Sequence, residues 1–341
     1  WPGVSAVAGF PDLHPGRFGP VGAAFLAERI YPQLIGPDIG CGMALFRLGL
    51  DRRKLKIDKA ARRLRVLEEG ADPDAARTAL SEAGLAGLMS PQGLGTIGGG
   101  NHFCEVQAVH EVVDSAAAAQ HGLSKGALCL LVHSGSRGGG AQIFHGVDDS
   151  WKEGFAPDGE AGRAYITLHD AAAGWARLNR SLIAAAAARA LGGEAECVAD
   201  VAHNLLSPHG GQWLHRKGAA ASAPLVPLAG SRETLSYLLA GGQAPATALG
   251  SLSHGAGRRY DRASMHGRVR KTKSSLAALQ KNAFGGQVIC ESRDLLIEEA
   301  GAAYKDATQV AKTLEAFGLA RPILSLAPLL TFKTVRAGSP R

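Results

Sequence analysis

The stretch 36-GPDIGCGM-43 sets a carboxylate, Asp38, three residues before a thiol, Cys41, among three glycines. Glycine at that density argues against a helix or a long strand. It marks tight turns or a close approach of the backbone to something else. A lone buried cysteine ordinarily packs as a small hydrophobe, so the stretch takes its meaning from the rest of the chain. Four further segments share its composition, small residues around a histidine: 98-GGGNHFCEV-106, 131-LVHSGSRGGG-140, 200-DVAHNLLSPH-209 and 253-SHGAGRR-259. Motifs of one kind scattered over the whole length are expected when one site is assembled from many loops of one domain. The sequence therefore reads as a single compact mixed α+β domain over residues 1–341, with β-sheets flanked by helices and a cleft built from loops.

The segments between the motifs agree with that class. Short apolar runs bounded by turn residues, 127-ALCLLVH-133, 286-GQVIC-290 and 323-ILSLAPLLTF-332, are expected as buried strands. Helical spacing runs from about Asp51 to Glu82, where it is charged. It returns from Glu160 to Leu191, where it is alanine-rich and stopped by Gly192 and Gly193. Strands and helices mix without strict alternation, which is not the pattern of a doubly wound sheet. The longest apolar run, 182-LIAAAAARALGG-193, contains Arg189 and falls short of the ~20 residues that span a bilayer, so no membrane association is expected. The chain starts with Trp1 inside what reads as a folded motif, which points to natural first residues missing from it.

Hydrophobic residues make up 46% and charged residues 20% of the 341, the balance of a soluble globular protein. The five cysteines, Cys41, Cys104, Cys129, Cys197 and Cys290, are odd in number and widely separated. That argues against a disulfide framework and for a reducing, cytoplasmic setting. Cys104, Cys129, Cys197 and Cys290 are expected to fill core. A net charge of +7 points to an anionic partner. Much of the excess lies in 257-GRRYDRASMHGRVRKTK-273, directly after a glycine-rich motif, where it can face phosphates. A second basic stretch, 52-RRKLKIDKAARRLR-65, alternates with apolar residues at helical spacing and reads as a solvated helix face.

Asp38 and Cys41, with the histidines of the other motifs, offer O, S and N donors from distant parts of the chain. Such a set suits a transition metal better than magnesium or calcium, whose sites are dominated by oxygen. No CxxC or HxxxH pair is present, which argues against a zinc finger. Gly98 to Gly100, Gly138 to Gly140, and the Gly255-Ala256-Gly257 turn before Arg258 and Arg259 offer amides and guanidinium groups to phosphates. None is the Walker pattern, and each is also compatible with a plain tight turn.

Taken in order, these words resemble the RtcB family of GTP-dependent RNA ligases, from near residue 9 almost to the C-terminus. The likeness rests on 11-PDLHPGRFGPVG-22, DIGCGM, GGGNHF, VHSGSRG, the AHN triplet, 215-HRKGA-219, SHGAGR and 303-AYKD-306. The resemblance implies an RtcB-like domain holding two Mn(II) ions bridged by the Cys41 thiolate. One ion would also take Asp38 and His102, the other His133 and His203. His254 would be the nucleophile that GTP converts to a histidine–GMP intermediate. Nucleotide contacts would fall on Asn101, Glu105, Asn204, Ser231, Arg258, Tyr304 and Lys333. The implied reaction joins an RNA 3′-phosphate or 2′,3′-cyclic phosphate to a 5′-hydroxyl.

The sequence departs from the family pattern in places. The stretch 229-AGSRET-234 keeps Ser231 but has Arg232 where methionine is usual, and 260-YDR-262 has Asp261 where serine is usual. The opening motif reads GPDIG for GVDIG, and Lys333 in 332-FKTVR-336 stands in for a Lys-Gly terminus. The short chain resembles the branch coupled to release factor H, which implies repair of broken tRNA or ribosomal RNA. An archease-like activator is a further implied partner. Two other functions use the same residues: a metal-dependent phosphoesterase acting on RNA ends without joining them, and a non-catalytic RNA-binding module. His14 and His215 lie in family-like segments and are candidates for RNA or nucleotide contact. His110, His121, His145, His169, His209 and His266 read as surface or packing residues.

Overall fold

Strand Gly42–Leu48 has apolar side chains on both faces, and both faces are covered. Ala44, Phe46 and Leu48 pack to one side with Leu128, Leu130 and Val132 of the neighbouring strand. Met43 and Leu45 pack to the other side with Cys129 and Leu131. This period of two, apolar on both faces up to Arg47, marks a strand inside a covered sheet. The structure, a computed structural model, describes residues 1–147, 152–242 and 244–335. Arg336, the last residue of the C-terminal segment quoted above, lies outside them.

Eight strands form the main sheet. Seven run in the order Leu225–Leu228, Ser236–Ala240, Arg321–Phe332, Phe103–Val112, Leu128–Ser134, Gly42–Leu48 and Ala195–Ala202, each antiparallel to its neighbour. Gln287–Ile289 joins Arg321–Phe332 in parallel. A second, four-stranded antiparallel sheet has the order Val4–His14, Val21–Ala27, Gln212–Lys217, Asn204–His209. Ala219–Ala221 and Ser251–Ser253 pair as a ribbon. The expected strands all form, and the class is mixed α and β with helices flanking the sheets.

The alanine-rich helix forms over Glu160–Leu191, ending on Gly192 in the left-handed conformation at φ 84°. Ile183, Ala184, Ala187 and Ala188 lay it on the same sheet face as Ala44 and Phe46. Its small residues allow a close approach. A Cβ on Gly40 would lie 2.7 Å from the Ala173 Cα, so the DIGCG loop meets the helix backbone where only glycine fits. The charged stretch from Asp51 to Glu82 is not one helix but four short pieces, Arg52–Lys54, Ile57–Arg63, Leu64–Glu68 and Pro73–Glu82. Gly70 at φ 79° ends one run, and Asp72 caps the next by accepting from the Asp74 and Ala75 amides. No helix among the described residues is long and apolar enough to cross a membrane.

Three expectations about single residues change. Cys197 is exposed on its edge strand rather than core, and Cys290 is half-buried; Cys104 and Cys129 are fully buried as expected. His215 is completely buried, so it does not reach RNA or nucleotide. Its Nε2 accepts the Tyr31 amide at 2.9 Å, and its Nδ1 side faces the Trp213 and Phe25 carbonyls, tying the four-stranded sheet to the following loop.

Two buried polar residues on the long helix hold the sheet ends in place. Arg180 Nη1 donates to the Gly40 carbonyl at 2.8 Å and the Ser134 carbonyl at 2.9 Å, while its Nε donates to Asp200 at 2.8 Å. Asn179 accepts the Gly95 amide and donates to the Thr96 carbonyl and the Ser134 hydroxyl. Arg180→Ala should cost about 3–5 kcal/mol in urea unfolding, because a mostly covered carboxylate and two carbonyls lose their buried partner. A separate outcome concerns acid. Burial pushes the His215 imidazole down to about 4, so its contribution is complete above the ordinary value of ~6.5 and is lost as pH falls toward 4. About 3 kcal/mol should disappear across that window in pH-dependent unfolding, and His215→Gln should flatten it.

Candidate active site

Strand register gathers the donors. Gly42 pairs with Ser134 on one side and with Ala202 on the other, so Cys41, His133 and His203 meet at one end of three adjacent strands. Phe103 pairs with His133, which brings His102 to the same end. Cys41 Sγ lies 3.2 Å from His133 Nε2 and 3.4 Å from His102 Nε2. His133 Nε2 is 3.3 Å from His203 Nε2, and His102 Nε2 is 2.8 Å from Asp38 Oδ2. Two groups result, Asp38–Cys41–His102 and Cys41–His133–His203, each with ligand atoms within 4.8 Å of one another, and Cys41 belongs to both.

The electrostatics favour lone pairs over protons there. Burial, then neighbouring cations and histidines, push His133 and His203 well below the ordinary histidine value. Burial acts against ionisation of Asp38, but His102 and Arg137 hold its carboxyl below the ordinary range. His133 Nδ1 sits 3.1 Å from the Asn101 carbonyl, a donor position that leaves Nε2 as the ligand nitrogen. Burial and then Asp38 push the Cys41 thiol well above its ordinary value, so deprotonating it calls for added positive charge. Soft and borderline donors packed this closely, one carboxylate among them, fit a transition-metal cation that displaces the thiol proton.

His254 stands beside this cluster, its ring centroid 4.6 Å from that of His203. The fully buried Asp12 carboxylate accepts from His254 Nδ1 at 2.6 Å and from its amide at 3.2 Å through the same oxygen. With Nδ1–H held, Nε2 keeps a lone pair. The GAG turn wraps closely around this strand: a Cβ on Gly257, at φ 72°, would lie 2.2 Å from the Asp12 carbonyl. Asp12 was visible in the PDLH motif, but nothing in the sequence paired it with a histidine 242 residues away.

One cavity of about 560 Å³ runs past both features, and its wall includes every expected site residue except His102, which lies within the cluster. Away from the Asp38, Cys41 and histidine cluster, the wall centres on Glu299, which nothing in the sequence singled out. Glu299 accepts from Arg258 Nη1 at 2.9 Å and from the Tyr304 hydroxyl, and it faces Lys333 Nζ at 3.5 Å and Arg262 Nε at 3.4 Å. Burial acts against its ionisation, but Lys333 and Arg262 hold its carboxyl below the ordinary range. Burial pushes Glu105 up to about 7, although Thr331 and Gln107 bond to it. Ser231 shares its hydroxyl with Thr234. The Asn204 amide is occupied by the Asp38 carbonyl and the Gly218 amide, so it braces the DIGCG loop.

The departures from the family pattern have structural counterparts. Asp261 accepts the Ser264 amide at 2.9 Å as the N-cap of helix Arg262–Arg268, a task serine also performs. Arg232 is buried in the wall, donating to the Leu296 carbonyl at 2.7 Å.

The sequence profile of the family described as tRNA-splicing ligase RtcB matches residues 1–73 and 60–334. The chain belongs to the RtcB family. It is 41% identical to an RNA-splicing ligase RtcB2 of Escherichia coli over 339 residues, covering 97% of this chain and 89% of that one. It is 31% identical to an RNA-splicing ligase RtcB of Mycobacterium bovis, covering 96% of each chain. It is 30% identical to a tRNA-splicing ligase RtcB of Thermococcus kodakarensis, covering 94% of this chain and 86% of that one. The mycobacterial alignment runs over 421 positions against the 341 residues of this chain, so that RtcB carries inserted segments this one lacks.

The shared thiol makes distinct outcomes for two variants. In metal analysis by mass spectrometry after Mn(II) loading, Cys41→Ala should lose both ions, whereas Asp38→Ala should lose chiefly one. Retention of both ions by the cysteine variant would contradict a shared ligand.

Proposed function

We propose that this chain joins RNA 3′-phosphate or 2′,3′-cyclic phosphate ends to 5′-hydroxyl ends, using GTP and a histidine–GMP intermediate on His254. As a member of the RtcB family the chain is an RNA ligase. The observation that carries the finer reading is the Asp12–His254 pair: a buried carboxylate fixes Nδ1–H and leaves Nε2 as nucleophile in the cavity that holds the metal-type cluster.

In this reading His254 Nε2 attacks the α-phosphorus of GTP, the bond to the β-phosphate oxygen breaks, and pyrophosphate leaves. An RNA 3′-phosphate oxygen then takes the GMP, breaking the N–P bond and restoring the imidazole. The 5′-hydroxyl of the second strand attacks the activated phosphate, losing its proton and expelling GMP. Two Mn(II) ions, held by Asp38, Cys41 and His102 and by Cys41, His133 and His203, would supply the positive charge that phosphoryl transfer requires. Asp12 keeps the His254 ring oriented through every step. Asn101, Glu105, Asn204, Ser231, Arg258, Tyr304 and Lys333, all of which line the cavity, are proposed to contact the nucleotide.

The proposed substrates are the broken ends of tRNA or ribosomal RNA, and the proposed setting is the cytoplasm. Release factor H or an archease-like activator is the proposed partner. Incubation with radiolabelled GTP and Mn(II) should leave acid-labile label on the wild-type protein and none on His254→Ala. The labelled protein should also join 3′-phosphate and 5′-hydroxyl oligonucleotides. Well-folded, metal-loaded protein that takes no label would sink the reading.

A further inference from the structure

Between strands Val4–His14 and Val21–Ala27 the chain turns at Gly16–Gly19, closed by the Gly19 amide on the Gly16 carbonyl at 3.4 Å. Phe18 sits in this turn, half-buried, and lines the same cavity as His254 and Cys41. Its ring packs at a tilt against Phe144, with centroids 4.9 Å apart. The Arg17 guanidinium carbon lies 5.2 Å from the Phe18 centroid, and Lys217 Nζ lies 5.7 Å from it. Lys217 is buried and donates to the Gln33 carbonyl at 2.8 Å. Neither Arg17 nor Lys217 has a carboxylate partner among the described residues, and burial pushes the Lys217 ammonium down to about 8.

A buried, uncompensated cation on a cavity wall calls for an anion. An aromatic ring next to it, left partly uncovered by its own packing, calls for a flat apolar partner. Single-stranded RNA offers both, a base that stacks and a phosphate beside it. Phe144 and the two cations each take part of the ring's surroundings, and the half-buried ring still lines the cavity.

We propose that Phe18, flanked by Arg17 and Lys217, is the stacking platform for the terminal nucleobase of an RNA end at this site, the two cations holding its adjacent phosphate. The proposal rests on the ligase reading. The Lys217 position is adjacent to Gly218, where a Cβ would lie 3.2 Å from the His254 ring, so a phosphate held there lies close to the nucleophile.

The test measures binding of short fluorescent RNAs to metal-loaded protein by anisotropy. One strand ends in a 3′-phosphate and the other begins with a 5′-hydroxyl, each made with a natural or an abasic terminal nucleotide. For at least one strand the abasic end should bind wild type roughly tenfold more weakly. Phe18→Ala should bind the natural strand about tenfold more weakly and no longer sense the missing base. Phe18→Leu, which keeps the contact with Phe144, should behave likewise and carries the test if the alanine variant does not fold. Phe18→Trp should retain the wild-type pattern. Equal binding of natural and abasic ends by wild type, or an unchanged abasic penalty in Phe18→Leu, overturns the platform. Wild-type protein labelled with GTP in parallel tests the ligase reading by itself, since loss of that label leaves the stacking measurement intact.

Discussion

Arg180 is the constraint on which the site depends. One buried guanidinium holds the Gly40 carbonyl, the Ser134 carbonyl and the Asp200 carboxylate. Those three residues lie on the segments that carry Cys41, His133 and His203. The strands by themselves set the register, but the last residues of a sheet fray without a partner for their carbonyls. A cation donated from the long helix supplies that partner for two chain segments at once. The neighbouring Asn179 does the same for the Gly95–Thr96 turn upstream of His102. The ligand end of the sheet is thus fixed from behind, and the ligating faces stay free.

What the clamp presents is a donor cluster with His254 beside it. His203 belongs to the cluster and its ring lies tilted beside that of His254, while Asp12 holds His254 from the opposite sheet. The main sheet therefore carries the metal-type donors, and the four-stranded sheet carries Asp12, which orients His254, and the turn with Phe18. The cavity lies where the two meet. Chemistry that needs a phosphate between a cation and an imidazole is served by this arrangement, because neither part has to move to meet the other.

The sequence was most legible where chemistry requires rare residues. DIGCGM, GGGNHF, VHSGSRG, AHN and SHGAGR mark five pieces of the site because glycine, cysteine and histidine at such density have few other uses. The buried strands and the helix Glu160–Leu191 were legible from apolar period and its glycine stop. Asp12, Arg180 and Glu299 were not, since each acts through a partner far away in sequence and sits in an unremarkable local context. The charged run from Asp51 to Glu82 misled in a different way. Its apolar spacing, with Ala60, Leu64, Leu67, Ala76 and Leu80 buried, is helical throughout, but Gly70 and Pro73 divide it. Cys197 misled because an apolar neighbourhood in sequence does not cover an edge strand.

The central claim is that one thiolate serves two ions beside an oriented histidine. Anomalous diffraction at the manganese edge from Mn(II)-loaded crystals tests it directly. The account predicts two peaks, both within bonding distance of Cys41 Sγ, one also bonded to Asp38 and His102 and the other to His133 and His203. A single peak, or two of which one lies out of reach of Cys41 Sγ, would contradict it.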